Sequence, residues 1–152
     1  MLTTNNHLLK QLSSDDAALL APLMEQVDLN QDQALFEPLQ KIRYVYFFNG
    51  GLSSEVAVNA DGRRIEVGCV GSEGFSGVPV VLGVDTSRHQ SFMQAGASAL
   101  RIRSADLRKA MMVSPELSSL LLRFAHVFMC RSRPQRLLMA GTKWSSGSLD
   151  GC

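Results

Sequence analysis

Three groups of side chains in this sequence have chemistry to offer: the carboxylates Glu66 and Glu73, the hydroxyl of Ser76, and a scatter of His and Cys residues. Ser76 lies in Gly74-Phe75-Ser76-Gly77, which lacks the glycine spacing of a GxSxG nucleophile elbow, and the sequence places no base beside it. Charged residues beside turns are ordinarily solvated, and neither glutamate has a partner at an acid–base spacing. His7, His89 and His126 share no ligand spacing. Cys69, Cys130 and Cys152 form no CxxC pair and no disulfide framework. Zinc and iron–sulfur centres are therefore not expected, and neither is catalysis or a cofactor. Unpaired, widely spaced cysteines fit a reducing, cytoplasmic compartment.

The elements that carry these residues follow from composition and periodicity. The 152 residues are 45% hydrophobic and 19% charged, enough for one domain with a core that needs no staple. The net charge of +1 excludes a broad phosphate-binding surface. Charge is unevenly spread. Residues 1–129 hold 11 Lys and Arg against 13 Asp and Glu, while Arg131, Arg133, Arg136 and Lys143 face only Asp150 in the tail. No basic leader and no apolar run of membrane-spanning length is present, so neither export nor a membrane is expected.

Leu8, Leu9 and Leu12 recur at helical spacing, and Ser13 with Asp16 resembles a capping arrangement for DDAALLAPLM. From about Val27 to Arg103 the pattern becomes that of strands. YVYFF precedes Asn49-Gly50-Gly51, SEVAV precedes Asn59-Ala60-Asp61-Gly62, and RIEVGCV alternates Ile65, Val67 and Cys69 with polar or small neighbours. SFMQA and SALRIR follow, joined by Gly96. Short strands with turns every few residues, uninterrupted by helices, predict an antiparallel roll or sandwich. Helix returns at Ser104, a plausible N-cap, and again at Ser114-Pro115-Glu116. The last helix carries the stripe Leu117, Leu120, Leu121, Phe124 and Phe128, and Leu122, Ala125, Val127 and Met129 widen its apolar surface beyond one face. That width predicts either packing on its own roll alone or an added contact with a second copy.

The segments IRYVYFFNGGLSSEVA, DGRRIEVGCVGSEGFSGVPVVLG and SADLRKAMMVSPELSSLLLRFAHVFM, in this order, resemble CRP/FNR-type bacterial transcription regulators. The resemblance covers the sensory domain, residues 6–129, including the start of its dimerisation helix. It implies a mainly β fold with flanking helices: an antiparallel β-roll of the double-stranded β-helix or jelly-roll type, followed by a long C-terminal dimerisation helix. It also implies a homodimer whose seam is Leu117, Leu120, Leu121, Phe124 and Phe128.

In such domains a glycine turn opens a short helix that faces a cyclic phosphate, a Glu holds the ribose, and an Arg-Ser pair holds the phosphate. Here the cassette is carried over to Gly74, Phe75, Ser76, Gly77, Val78 and Pro79, with Arg88, His89, Gln90 and Ser91. Val78 stands where the ribose Glu belongs, and His89-Gln90 stand where Arg-Ser belongs, with Arg88 one place off. Three readings stay open: a cyclic nucleotide, if a loop shift brings Arg88 into place; another small effector, such as an anion, read by Arg88, His89 and backbone amides; or a vestigial cassette whose glycines merely turn the chain.

Residues 130–152, CRSRPQRLLMAGTKWSSGSLDGC, depart from the family, whose members continue the helix and begin a winged helix-turn-helix. With suitable synonymous codons, another frame through AGTKWSSGSLDGC encodes RHQVEQRLARWL, which matches the family. The tail is thus expected to be disordered or derived from a frameshift, with DNA a partner only of a full-length form. Two other functions compete: a small cupin-type β-barrel enzyme, which needs clustered His and Glu metal ligands, and a ligand-free interaction module.

Overall fold

The structure, a computed structural model, describes residues 2–131. After a single 3-10 turn at Leu9–Gln11 comes α1 (Ser14–Leu20), and Ser13 caps it by accepting the Asp16 N–H at 3.1 Å. The strands follow as β1 (Met24–Leu29), β2 (Ala34–Phe36), β3 (Tyr44–Phe48), β4 (Leu52–Val58), β5 (Arg64–Val70) and β6 (Phe75–Ser76). The short helix α2 (Val78–Val81) leads to β7 (His89–Ala95) and β8 (Ala97–Arg103), and the described chain ends with α3 (Ser104–Val113) and α4 (Pro115–Arg131). Among the described residues the strands form two four-stranded antiparallel sheets, β1-β8-β3-β6 and β2-β7-β4-β5. This is the expected β-roll followed by helix.

The two sheets close over a core in which Phe47, Phe48, Phe75, Leu107, Leu117 and Leu121 are almost wholly buried. Phe47, Phe75 and Phe124 form a chain of rings with centroids 5.2 and 4.8 Å apart, which ties β3 and β6 to α4. Such tilted pairs each add about 1 kcal/mol beyond area burial. At the sheet edge Arg101 lies 4.1 Å over the Tyr44 ring and bonds Glu25 at 2.7 Å. Burial pulls the Arg101 pKa down, but its bonds to Glu25 and Tyr46 outweigh this and raise it above the ordinary value.

Several local expectations need correction. Leu8, Leu9 and Leu12 do not build a regular α-helix; Leu8 and Leu9 are core residues around one 3-10 turn. The alternation of β5 breaks at a bulge opposite Glu55 and Val56, so Val67 and Val70 are buried while Cys69 is exposed. One added residue in a ladder reverses which side chains face inward from there on. Ser104 does not cap α3. It is the first helical residue, and its hydroxyl donates to the Ile42 carbonyl at 2.8 Å. Ser114 does cap α4, accepting the Leu117 N–H at 3.1 Å. Leu117, Leu120, Leu121, Phe124 and Phe128 are all buried against their own roll, so they are not the outward seam expected of them. The face that α4 turns to solvent instead runs through Ser119, Leu122, His126 and Met129. Helix α4 extends through Cys130 and Arg131, and the remaining tail, with Arg133, Arg136, Lys143 and Trp144, lies outside the described residues.

Candidate functional site

The inside of the β2-β7-β4-β5 sheet is set by the register of β4 with β7. Ser53 faces Met93, Glu55 faces Ser91 and Ala57 faces His89. Alternate residues of a strand share a face, so these six line one surface. Met93 is fully buried, and the Ser91 hydroxyl lies 3.0 Å from that of Ser76 on β6 of the opposite sheet, so this surface is the interior. A row of polar groups results. It begins at the partly exposed His89, whose Nδ1 lies 2.8 Å from Glu55 Oε1, and continues through Ser91 to Ser76. Glu55, Ser91 and Ser76 are buried, at 9%, 2% and 4% exposure. Buried polar groups need partners, and this row supplies them internally.

The cassette residues are placed as follows. Gly74 is pressed under the ring of Phe124, where a Cβ would meet ring carbons at 2.0 Å. Phe75 belongs to the aromatic core. Gly74-Phe75-Ser76-Gly77, taken as a turn, is a strand with a glycine at each end. Tyr46 pairs with Ser76 and Phe47 with Phe75. Gly77 has φ 110° and lies so close to Val45 that a side chain would crowd it.

Val78 is buried, and Pro79 has no N–H to offer a phosphate. The four-residue helix α2 thus presents its apolar side chains, Val78, Val80 and Val81, to the core. Arg88 is exposed ahead of β7. Gln90 faces outward, because His89 and Ser91 on either side of it face in. Its amide donates to Glu37 at 3.0 Å and its carbonyl accepts from Arg64 at 2.7 Å. Gln90 therefore lines an outer groove of about 500 Å³ with Asp32, Val56, Arg64, Glu66 and Phe92, apart from the inner row.

Sequence reasoning missed Glu55, which lies 34 residues from His89 and reads locally as one more member of an alternating strand. A carboxylate 2.8 Å from the imidazole disfavours an anion there. The expectation of an anionic effector held by Arg88 and His89 thus meets an opposing charge that the cassette alone does not reveal. Among the described residues no three His, Cys, Asp or Glu side chains come together as a metal-holding group, the arrangement that a cupin enzyme requires. No helix among them is long and apolar enough to cross a membrane.

Neither protein-family models nor curated proteins match the sequence. Solved structures do. A cyclic nucleotide-binding domain from Methylobacillus flagellatus superposes with a TM-score of 0.72 at 11% identity, over 92% of this chain and 84% of that one. The N-terminal domain of a transcriptional regulator from Streptomyces coelicolor does so with 0.60 at 23%, over 91% and 93%. The regulatory subunit of a cAMP-independent protein kinase A from Trypanosoma brucei gives 0.68 at 13%, over 80% of this chain but only 44% of its own length. At these identities the likeness is one of architecture, and function must be argued from the site. The chain has the β-roll fold of cyclic nucleotide-binding domains, shared with that regulator's N-terminal domain and that kinase regulatory subunit.

Proposed function

We propose that the chain is the effector-sensing domain of a CRP/FNR-type transcription regulator, non-catalytic, and that its effector is not a cyclic nucleotide. The observation that carries this reading is the inner row from His89 through Glu55 and Ser91 to Ser76. The row lies inside a fold shared with a regulator's N-terminal domain and a cyclic nucleotide-binding domain, which supports reading it as the effector site. A cyclic phosphate needs a guanidinium and a run of free N–H groups. This site offers an imidazole already paired with a carboxylate, and a four-residue helix whose first turn lacks one N–H because of Pro79. The row suits a small polar molecule, uncharged or zwitterionic, that exchanges hydrogen bonds with the two hydroxyls and the His89–Glu55 pair. The T. brucei subunit belongs to a protein kinase A described as cAMP-independent, and a triple mutant of it is described as bound to cAMP, so a few residues in this fold can decide whether that ligand is taken.

We infer a homodimer as part of this reading, and the outward stripe of α4 supports it. Ser119, Leu122, His126 and Met129 recur at alternating three- and four-residue spacing, and Leu122 and Met129 are 41% and 57% exposed. The spacing is that of a two-helix seam, with Leu122 and Met129 at one repeat position and the polar Ser119 and His126 at the other. The sensing reading is tested by thermal shift with cAMP, cGMP and a panel of amino acids, sugars and small amides. The expected result is no shift with either nucleotide and a saturable rise with a polar metabolite, lost in Ser76→Ala and Ser91→Ala. A ligand at about 100 times its Kd adds roughly 2.7 kcal/mol. Micromolar cyclic nucleotide binding overturns the effector assignment, and silence across the whole panel favours the ligand-free interaction module.

A further inference from the structure

The outer face of the β2-β7-β4-β5 sheet carries the groove of about 500 Å³ that Gln90 lines, and its charges are held in place without being paired. Arg64 starts on β5 and donates to the Gln90 side-chain carbonyl on β7 at 2.7 Å, with β4 between the two strands. Its stem therefore crosses β4 beside Val56, the ladder partner of Gln90, which points outward yet is only 5% exposed. The guanidinium ends 5.5 Å over the Phe92 ring, and Gln90 is itself held by Glu37 at 3.0 Å. A long cationic side chain on a surface ordinarily samples many rotamers; here stacking and a relayed hydrogen bond fix one.

The two carboxylates of the groove are placed as well. Glu66 Oε1 accepts the Ser54 hydroxyl at 2.9 Å, and Oε2 has no bond among the described residues. Asp32 sits in the left-handed backbone region, φ 68°, with its N–H on the Met93 carbonyl at 2.7 Å. Among the described residues neither carboxylate comes within ion-pair distance of Arg64. A molecule that carries both signs closes such a gap. One guanidinium against two carboxylates leaves the groove with negative charge in excess, so its complement has one carboxylate and two cationic groups. The fork of Arg64 suits an α-carboxylate, Glu66 and Asp32 suit two ammonium groups, and the methylenes between them lie over Val56.

We infer that this groove binds a free dibasic amino acid of the lysine or ornithine kind. It lies on the opposite face of the sheet from the row of His89, Glu55, Ser91 and Ser76, and the inference does not rest on the effector reading.

Calorimetric titration with L-ornithine and L-lysine tests it, with L-alanine, putrescine and glutarate at matched ionic strength as comparators. The expected result is saturable binding of both dibasic amino acids, roughly tenfold or more tighter than alanine, with putrescine and glutarate no better than salt. Arg64→Met keeps a stem over Val56 but removes the fork, and Glu66→Gln keeps an acceptor for Ser54 but removes the charge. Each is expected to weaken ornithine roughly tenfold or more. Asp32→Asn, which a left-handed backbone accepts, is expected to bring ornithine down to the affinity of alanine. All three positions are exposed, so the melting temperature of each variant is expected to hold. Amide shifts with ornithine are expected at Arg64, Glu66, Gln90 and Phe92.

Three results overturn the inference and leave the effector reading untouched: no saturable ornithine binding, alanine or putrescine binding as tightly as ornithine, or binding undiminished in Arg64→Met. Shifts confined to Glu55, Ser76, His89 and Ser91 overturn it in the other direction, because they assign the amino acid to the inner row.

Discussion

Asn6 gives the sharpest stability prediction. It is fully buried, and its side chain makes four bonds to backbone. Its Nδ2 donates to the carbonyls of Phe48 and Gly74, both at 2.8 Å. Its Oδ1 accepts the N–H groups of Leu8 and Leu9 at 3.1 and 3.0 Å. One side chain therefore joins the N-terminal segment, the end of β3 and the start of the cassette. In Asn6→Ala all four backbone groups lose this partner at a site without solvent. At about 1 kcal/mol per bond the loss is roughly 4 kcal/mol. For a domain of this size that is a fall of roughly 8–16 °C in melting temperature.

Urea unfolding followed by circular dichroism measures it, and hydrogen exchange at Gly74–Gly77 shows whether the cassette loosens. Asn6→Asp is expected to cost at least as much, because it keeps the two acceptor bonds but turns a carboxylate toward two carbonyls. Thr4→Val, which removes two part-buried bonds, the one its hydroxyl donates to Asn49 at 2.6 Å and the one it accepts from the Asn6 N–H at 3.0 Å, serves as the smaller comparator at about 2 kcal/mol. An Asn6→Ala variant within 1 kcal/mol of the parent refutes the reasoning.

Gly74→Ala sets a Cβ against the Phe124 ring at 2.0 Å, and overpacking of this kind costs roughly 1–3 kcal/mol, read as a lower urea midpoint. Leu122→Glu with Met129→Glu charges the outward stripe of α4 without entering the core, and sedimentation is expected to show a dimeric parent and a monomeric variant of unchanged secondary structure. Phe124→Ala removes the middle ring between Phe75 and Phe128 and is expected to cost about 3–5 kcal/mol by the same urea assay. Sequencing the gene past Met129 tests the frameshift idea: a winged-helix sequence in an alternative frame is expected, and no such sequence in any frame rejects it.

The parts of the fold that were legible in the sequence are those where side-chain type and turn chemistry agree. Tyr44–Phe48 is aromatic and β-branched with Asn49-Gly50-Gly51 behind it, and β7 and β8 are divided by Gly96. By contrast β1 (Met24–Leu29) carries Glu25, Gln26 and Asp28 on an edge strand, and β2 has only three residues, so neither has a pattern long enough to detect. The strand β6 was hidden because flanking glycines look like a turn when the pairing partner, β3, is nearly 30 residues away.

The same limit governs the site. His89 and Ser91 could be named from the cassette order, but which of residues 88–91 face inward depends on where β7 begins, and that turns Gln90 outward. Glu55 reaches His89 only through the β4–β7 register. For α4, helical spacing reveals an apolar surface wider than one face but not which part of it the roll has already covered: Ala125 is buried while Leu122, Val127 and Met129 are exposed.

Amide chemical shifts of the labelled chain, recorded with cAMP, cGMP and the polar-metabolite panel, test the effector row most directly. The account predicts that neither nucleotide moves the spectrum and that a polar metabolite shifts Glu55, Ser76, His89 and Ser91 together. Saturable nucleotide shifts at those residues, or metabolite shifts confined to other surfaces, contradict it.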